Sequence, residues 1–221
     1  MTTLHPRTAL AHVRHWVFDL DNTLYPPEAR LFDQIEVRMT EWMMRTLSVS
    51  RPEANRLRRA YWELYGTTLA GLMAEHGQDP EEYMLDVHDI TLDHLTRDDV
   101  LARRIRALPG RRIVFTNGSA PYAERVLEAR GLAGCFDAVF GVEHAAYTPK
   151  PQAAAFRRVF DAAGLDTATG AMFEDDPRNL AAPRRMGLKT VHVAPTRETA
   201  DHIDFHTDDL TAFLGTLGHA P

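Results

Sequence analysis

The sequence predicts an α/β protein: a doubly wound parallel sheet with an all-helical segment inserted after its first strand. Three observations carry that prediction. Short apolar runs rich in β-branched and aromatic residues alternate with helical patterns over much of the chain. Roughly residues 26–90 contain no such run and read as helix throughout. With 221 residues, 44% hydrophobic and 25% charged, the chain can bury one full core and still carry a small appended unit.

The strand runs are HWVFDLD (15–21), RRIVFTN (111–117), FDAVFG (136–141), GAMFEDD (170–176) and KTVHVA (189–194). Helical patterns near 121–131, 152–163 and 178–186 separate the last four. In such a sheet, ligands bind beyond the carboxyl ends of the strands. Within the insert, Leu31, Ile35, Met39, Trp42 and Met43 recur at helical spacing, with Glu36, Arg38 and Glu41 on the other side. RPEANRLRRAYWELYG reads as a second helix, capped by Ser50 with Pro52 in its first turn. TTLAGLMAEHG and DPEEYMLDVHDI give two more, punctuated by Gly77 and Pro80. The expected division is a core of residues 1–24 and 91–221, with residues 25–90 as a helical cap over the strand ends.

Composition narrows the function classes. A net charge of −6 and scattered arginine pairs (Arg103-Arg104, Arg157-Arg158, Arg184-Arg185) argue against nucleic acid as the main partner. The single cysteine, Cys135, allows no internal disulfide and reads as packing at a strand start. The N-terminal segment MTTLHPRTALAHVRHW lacks the apolar stretch of a signal peptide, and no run is long enough to span a membrane. A cytoplasmic location is therefore expected, as a monomer or a homodimer.

The candidate chemistry begins with DLDNT, where Asp19 and Asp21 close the first apolar run. Neighbouring carboxylates need a cation, a shared proton or hydrogen-bond donors to offset their repulsion. Taken alone, they equally read as an Asp-Asn turn. Three other strand or helix ends tip the balance. IVFTNGS brings Thr116, Asn117 and Gly118 to a helix N-terminus near Pro121, a place suited to an anion. TPKP fixes Lys150 between two prolines. FEDDPRNL ends an apolar run with Glu174, Asp175 and Asp176. Acidic oxygen ligands suit a hard cation, Mg²⁺ first, and the hydroxyl, ammonium and amides suit a phosphoryl group.

DLDNT, FTNGS, the lysine of TPKP and the acidic pair of FEDD stand in the order of the four motifs of the haloacid dehalogenase-like (HAD) hydrolase superfamily. The chain resembles that superfamily from Val13 to about Pro195, and the insert resembles its C1-type cap. DLDNTLYP, YGTTLAGLMAEHG, VHDITLDHL and FEDDPRNL further resemble the pyrimidine 5′-nucleotidase-like subfamily. By that resemblance Asp19 is the nucleophile that becomes an aspartyl-phosphate, and Asp21 is the general acid and then base. Thr116, with the amides of Asn117 and Gly118 after it, binds the transferring phosphoryl group, and Lys150 neutralises it and orients Asp19. The Mg²⁺ ligands implied are Asp19, the Asp21 main chain and Asp175, with Glu174 a further candidate. Shifting the fourth motif by one residue would give the role to Asp176 instead.

The implied activity is Mg²⁺-dependent hydrolysis of a small phosphorylated metabolite, with pyrimidine nucleoside monophosphates as the expected substrates. Sugar phosphates, phosphoglycolate or a phosphomutase reaction are the alternatives within the superfamily. A phosphorylatable receiver module is the non-enzyme alternative, although receivers are shorter and lack a large helical insert. Asp21 sets the chain apart from superfamily dehalogenases, which have no leaving group to protonate. His202 and His206 are four apart but flank an alternating stretch, so they read as surface or edge-strand residues rather than metal ligands. Tyr61, Trp62 and Tyr65, near Thr67 and Thr68, could face a base or fill the insert's own core.

Overall fold

The protein is described here by a computed structural model covering residues 5–218. After a single helical turn, α1 (Pro6–Ala9), the first apolar run folds as β1 (His15–Phe18). It is followed at long intervals by β2 (Arg111–Phe115), β3 (Ala138–Phe140), β4 (Gly170–Glu174), β5 (Lys189–Val193) and the edge strand β6 (Phe205–Thr207). The six form one sheet in the order β3-β2-β1-β4-β5-β6, and every pairing is parallel. Five of these strands are the runs read from sequence. The sixth holds His206, whose Nε2 donates to the Ala194 carbonyl oxygen at 2.9 Å.

The central strands are buried on both faces because both are covered by helices. Val17 is in register with Ile113 and Met172, and these pack on one side of the sheet with Phe156 and Phe160 of α8 (Ala153–Ala163). Trp16, Phe18 and Phe173 turn to the other side, where α6 (Asp99–Arg106), α7 (Ala120–Ala129) and α10 (Leu210–Leu217) bury their apolar residues. Phe18 and Phe173 stack with ring centroids 4.6 Å apart and planes 5° from parallel. Burying a ring of this size contributes about 2 kcal/mol. Cys135 lies in this cluster just before β3, and burial pushes its thiol up, consistent with packing rather than chemistry.

The four helices between β1 and α6 are α2 (Leu31–Leu47), α3 (Arg51–Tyr65), α4 (Thr68–His76) and α5 (Pro80–Val87). Leu31, Ile35 and Met43 are buried as their spacing predicts, while Met39 and Trp42 pack at the margin. Ser50 accepts from the Glu53 amide, so the expected cap of α3 is present. The helix expected at 178–186 begins as a 3₁₀ turn, Pro177–Leu180, before α9 (Ala181–Met186). Helices α6 and α10 add to those read from sequence; α6 is capped by Asp98, whose Oδ1 accepts from the Leu101 amide at 2.8 Å. No helix among the described residues is long and apolar enough to cross a membrane. The outermost residues, 1–4 and 219–221, fall outside the description, including the first residues of the segment read as lacking a signal peptide.

Candidate active site

The strand order reverses at β1 and β4, so a crevice opens beyond their carboxyl ends. β1 stops at Phe18 and β4 at Glu174, so both strands deliver their acidic residues into that crevice. Asp19, still bonded to the sheet through its amide on the Phe173 carbonyl oxygen at 2.9 Å, is buried. Asn22 adopts φ 58°, a left-handed turn for which Asn is well suited, and the chain folds back there.

Lys150 is the buried centre of the cluster. Its Nζ lies 2.6 Å from Asp19 Oδ1, 2.7 Å from Glu174 Oε2 and 3.1 Å from the Phe115 carbonyl oxygen. Burial alone would push the ammonium down, but Asp19 and Glu174 outweigh it and hold it above its ordinary value. Asn117 fixes this lysine from the main chain: its Oδ1 accepts from the Lys150 amide at 2.8 Å and its Nδ2 donates to the Lys150 carbonyl at 3.1 Å. The Asn117 side chain is therefore committed to the Lys150 main chain, while the phosphoryl contact expected of this residue is one through its backbone amide.

Asp19, Glu174 and Asp175 each place a carboxylate oxygen within 4.8 Å of the others. Thr23 donates to Asp19 Oδ2 at 3.1 Å, Asn179 to Glu174 Oε1 at 3.1 Å and Asn22 to Asp175 Oδ2 at 3.3 Å. Burial, then the charge on Asp19, raises Glu174 well above its ordinary range and pushes Asp175 up to about 7. Three carboxylates around one ammonium leave negative charge over, and an all-oxygen donor set of this kind could hold a hard divalent cation. Asp176 does not join them. Its carboxylate accepts from Arg178 Nη2 at 2.6 Å and Nε at 3.0 Å, and it caps the following 3₁₀ turn through the Arg178 amide. Asp176, held by this neighbouring guanidinium, thus stands outside the group of carboxylates that could share a cation.

Asp21 points away from the cluster. Its Oδ1 accepts from Tyr25 Oη at 2.6 Å and Tyr122 Oη at 2.9 Å, and its Oδ2 lies 3.3 Å from Thr116 Oγ1. Burial, then Asp19, raises it above the usual carboxylate range. Thr116 also accepts from the Gly118 amide at 2.9 Å, so its hydroxyl is tied to Asp21 and to its own turn. Gly118 packs closely here, since a Cβ would come within 3.0 Å of Tyr122 Cδ1 and the ring would have to shift to admit it.

A cavity of about 420 Å³ opens onto Asp21, Gly118 and Lys150 from one side and is walled by the helical insert on the other. Phe32, Met39, Trp62, Thr67, Thr68 and Val87 are among the insert residues lining it. Of the three aromatics singled out in sequence, only Trp62 reaches it. Tyr61 is buried in the insert against His76 at 2.7 Å, and Tyr65 bonds Glu75. Trp62 is stacked by Arg178, whose Cζ sits 3.8 Å from the ring centroid. Sequence reasoning missed Tyr25, Tyr122, Asn179 and Arg178. Asn179 and Arg178 stood within FEDDPRNL and carried a signal, whereas Tyr122 enters from α7 and carried none. His202 and His206 belong to no potential metal-binding group among the described residues.

Sheet order and crevice define a Rossmann-type α/β protein with an acidic site at its topological switch point. The profile of the haloacid dehalogenase-like hydrolases matches residues 13–187, and the chain belongs to that family. Among solved structures, it is similar to a HAD phosphatase from Thermococcus onnurineus at 17% identity, with a TM-score of 0.63 over 93% of this chain and 98% of that one. A 2-haloacid dehalogenase from Pseudomonas syringae pv. tomato matches at 18% identity and TM-score 0.59, again over 93% and 98%. The HAD hydrolase YfnB of Bacillus subtilis, in a form bound to magnesium, matches at 15% identity and TM-score 0.57 over the same shares. These likenesses support the fold.

Proposed function

We propose that this hydrolase is a Mg²⁺-dependent phosphomonoesterase that works through an aspartyl-phosphate on Asp19 and acts on pyrimidine nucleoside monophosphates. The observation that carries the choice of phosphoryl transfer is Asp21. A dehalogenation releases halide and needs no proton donor, whereas an ester oxygen leaving phosphorus does. Asp21 lines the cavity two residues beyond Asp19, with its Oδ2 outside the grip of the two phenols.

In this reading, Lys150 and Thr23 hold the Asp19 carboxylate for attack on phosphorus. Asp21 protonates the departing ester oxygen and afterwards takes a proton from the attacking water. Asp19, Asp175 and the Asp21 main chain would hold Mg²⁺, with Glu174 beside them; the ion supplies positive charge against the phosphoryl oxygens. Asn117 and Gly118, in the turn after β2, line the same cavity and would meet the same anion. The helical insert acts as the cap and selects the leaving group through Trp62, Thr67 and Thr68, since chemistry at phosphorus reads little beyond the phosphate. The substrate class rests on the apolar, aromatic-walled cavity and on the resemblance of the DLDNTLYP and YGTTLAGL text to pyrimidine nucleotidases.

The test is release of inorganic phosphate from a panel of phosphomonoesters, with and without Mg²⁺, beside chloride release from 2-chloropropionate. UMP and CMP are expected to exceed AMP in kcat/KM, with no activity in chelator and no chloride. Higher turnover of sugar phosphates than of every nucleotide would remove the nucleotidase reading. Chloride release without phosphate release would remove the phosphatase.

A further inference from the structure

The catalytic reading gives no role to the two tyrosines that meet on Asp21, yet their arrangement is specific. Both phenols end on the same atom, Oδ1, at 2.6 and 2.9 Å. Both rings are buried, with 1% of each residue exposed, so neither hydroxyl has water as an alternative partner. They arrive from separate segments: Tyr25 from the loop after β1, Tyr122 from the first turn of α7. Tyr122 is itself wedged. His88, at the exit of the insert, stacks on it with ring centroids 4.3 Å apart and planes 6° from parallel, and Gly118 lies close to the ring, where a Cβ would come within 3.0 Å of Cδ1. The His88 ring is held in turn by Ser119 Oγ, 3.2 Å from its Nδ1.

We infer that Tyr25 and Tyr122 are positioning residues that fix which oxygen of Asp21 carries the catalytic proton. An ionised carboxylate oxygen has two lone pairs in its plane, and two phenol donors fill those of Oδ1. The proton is thereby assigned to Oδ2, and rotation about the carboxyl axis would break both bonds. Preorganised donors of this sort act without reorganisation during the reaction.

This inference rests on Asp21 being the acid and base of phosphoryl transfer, and the steps balance as follows. The ester P–O bond breaks as a P–O bond to Asp19 forms, and the electron pair leaving with the ester oxygen takes the proton from Asp21 Oδ2. The alcohol departs and Asp21 is left ionised. Water then attacks phosphorus and gives its proton to Oδ2 as the P–O bond to Asp19 breaks. Inorganic phosphate departs, and both aspartates return to their starting states.

Leaving-group dependence separates positioning from mere packing. An alkoxide needs the proton, whereas p-nitrophenolate leaves without it. Phosphoryl transfer would be followed as kcat/KM for ethyl phosphate, UMP and p-nitrophenyl phosphate in Tyr25→Phe, Tyr122→Phe and Asp21→Asn proteins with native circular dichroism. Each Phe variant is expected to lose roughly ten- to a hundredfold on the alkyl esters and less than about threefold on the aryl ester, within the range a general acid supplies. Adding Tyr25→Phe to Asp21→Asn should cost no further selectivity, because the group being positioned is gone. Equal losses on alkyl and aryl esters would overturn the inference while leaving Asp21 as the acid, provided Asp21→Asn itself remains selective against alkyl esters. An unselective Asp21→Asn would overturn the catalytic reading on which the inference stands.

Discussion

Lys150→Met removes the only ammonium from a cluster of three carboxylates and replaces it with a side chain of similar length. In the wild-type protein, the Lys150 side chain is 1% exposed and its partners Asp19 and Glu174 are 6% and 1% exposed, so solvent cannot substitute for it. Removing one partner from a buried ion pair costs about 3–5 kcal/mol, because the remaining charge stays buried without compensation. For a chain of this size that corresponds to roughly 6–20 °C in Tm. The loss should depend on pH with a defined sign. Glu174 and Asp175 already have folded-state pKa values above their ordinary ones, Asp175 at about 7, and without Lys150 they rise further. Groups with raised folded pKa values bind more protons in the folded state, so their contribution is present at low pH and is lost as pH rises through the folded value. Urea unfolding in chelator at about pH 7.5 and about pH 5.5 reads both effects. The variant is expected to lose most at the higher pH and to recover much of the deficit at the lower one. A deficit below about 1 kcal/mol, or one equal at the two pH values, would refute this account of the cluster.

Three further outcomes are expected. Burial lowers His88 from 6.5 to about 4, so the folded protein resists protonating it, and stability is lost as pH falls between those values. Relative to His88→Gln, wild type should lose about 3 kcal/mol at most across that window in urea titrations; the opposing contribution of Asp175 is common to both proteins and cancels. Asp175→Asn should weaken Mg²⁺ binding by calorimetry far more than Asp176→Asn, because Asp176 is occupied by Arg178. Thr68→Val, on the cavity wall of the insert, should raise KM for UMP more than it lowers kcat, the mark of lost ground-state binding; the reverse split would place Thr68 in the chemistry instead.

The parallel strands were legible because they are buried on both faces: Trp16-Val17-Phe18 and Ile113-Val114-Phe115 are continuous apolar runs that no surface element would carry. Their common destination was legible too, since DLDNT, FTNGS and FEDD each close such a run and TPKP stands just before a helix. Helix α6 was harder to read. Its buried stripe is only Leu101, Ala102 and Ile105, set among three arginines, although Asp98 gave the capping signal. The commitments of the polar side chains were not legible from spacing. Lys150 meets Asp19 across 131 residues, and the resemblance rather than the local text anticipated that pair. Asn117 was read as an anion contact through its amide, and the closing of its side chain on the Lys150 main chain carried no signal in the sequence. Asp175 was preferred to Asp176 only by the register of the resemblance, and the turn that brings Arg178 back over Asp176 carried no signal in the sequence. Tyr122 reaches Asp21 across 101 residues, a meeting that depends on where α7 starts relative to β1.

The central claim is that phosphoryl transfer passes through Asp19. Its most direct measurement is mass spectrometry of the protein quenched in acid during turnover of a phosphomonoester with Mg²⁺. The peptide containing Asp19 is expected to carry one phosphoryl group, localised to that residue by fragmentation, and the adduct should be absent from a folded, inactive Asp19→Asn protein. Phosphate release at an undiminished rate by Asp19→Asn, or turnover with the phosphoryl group found on another residue, would contradict the account.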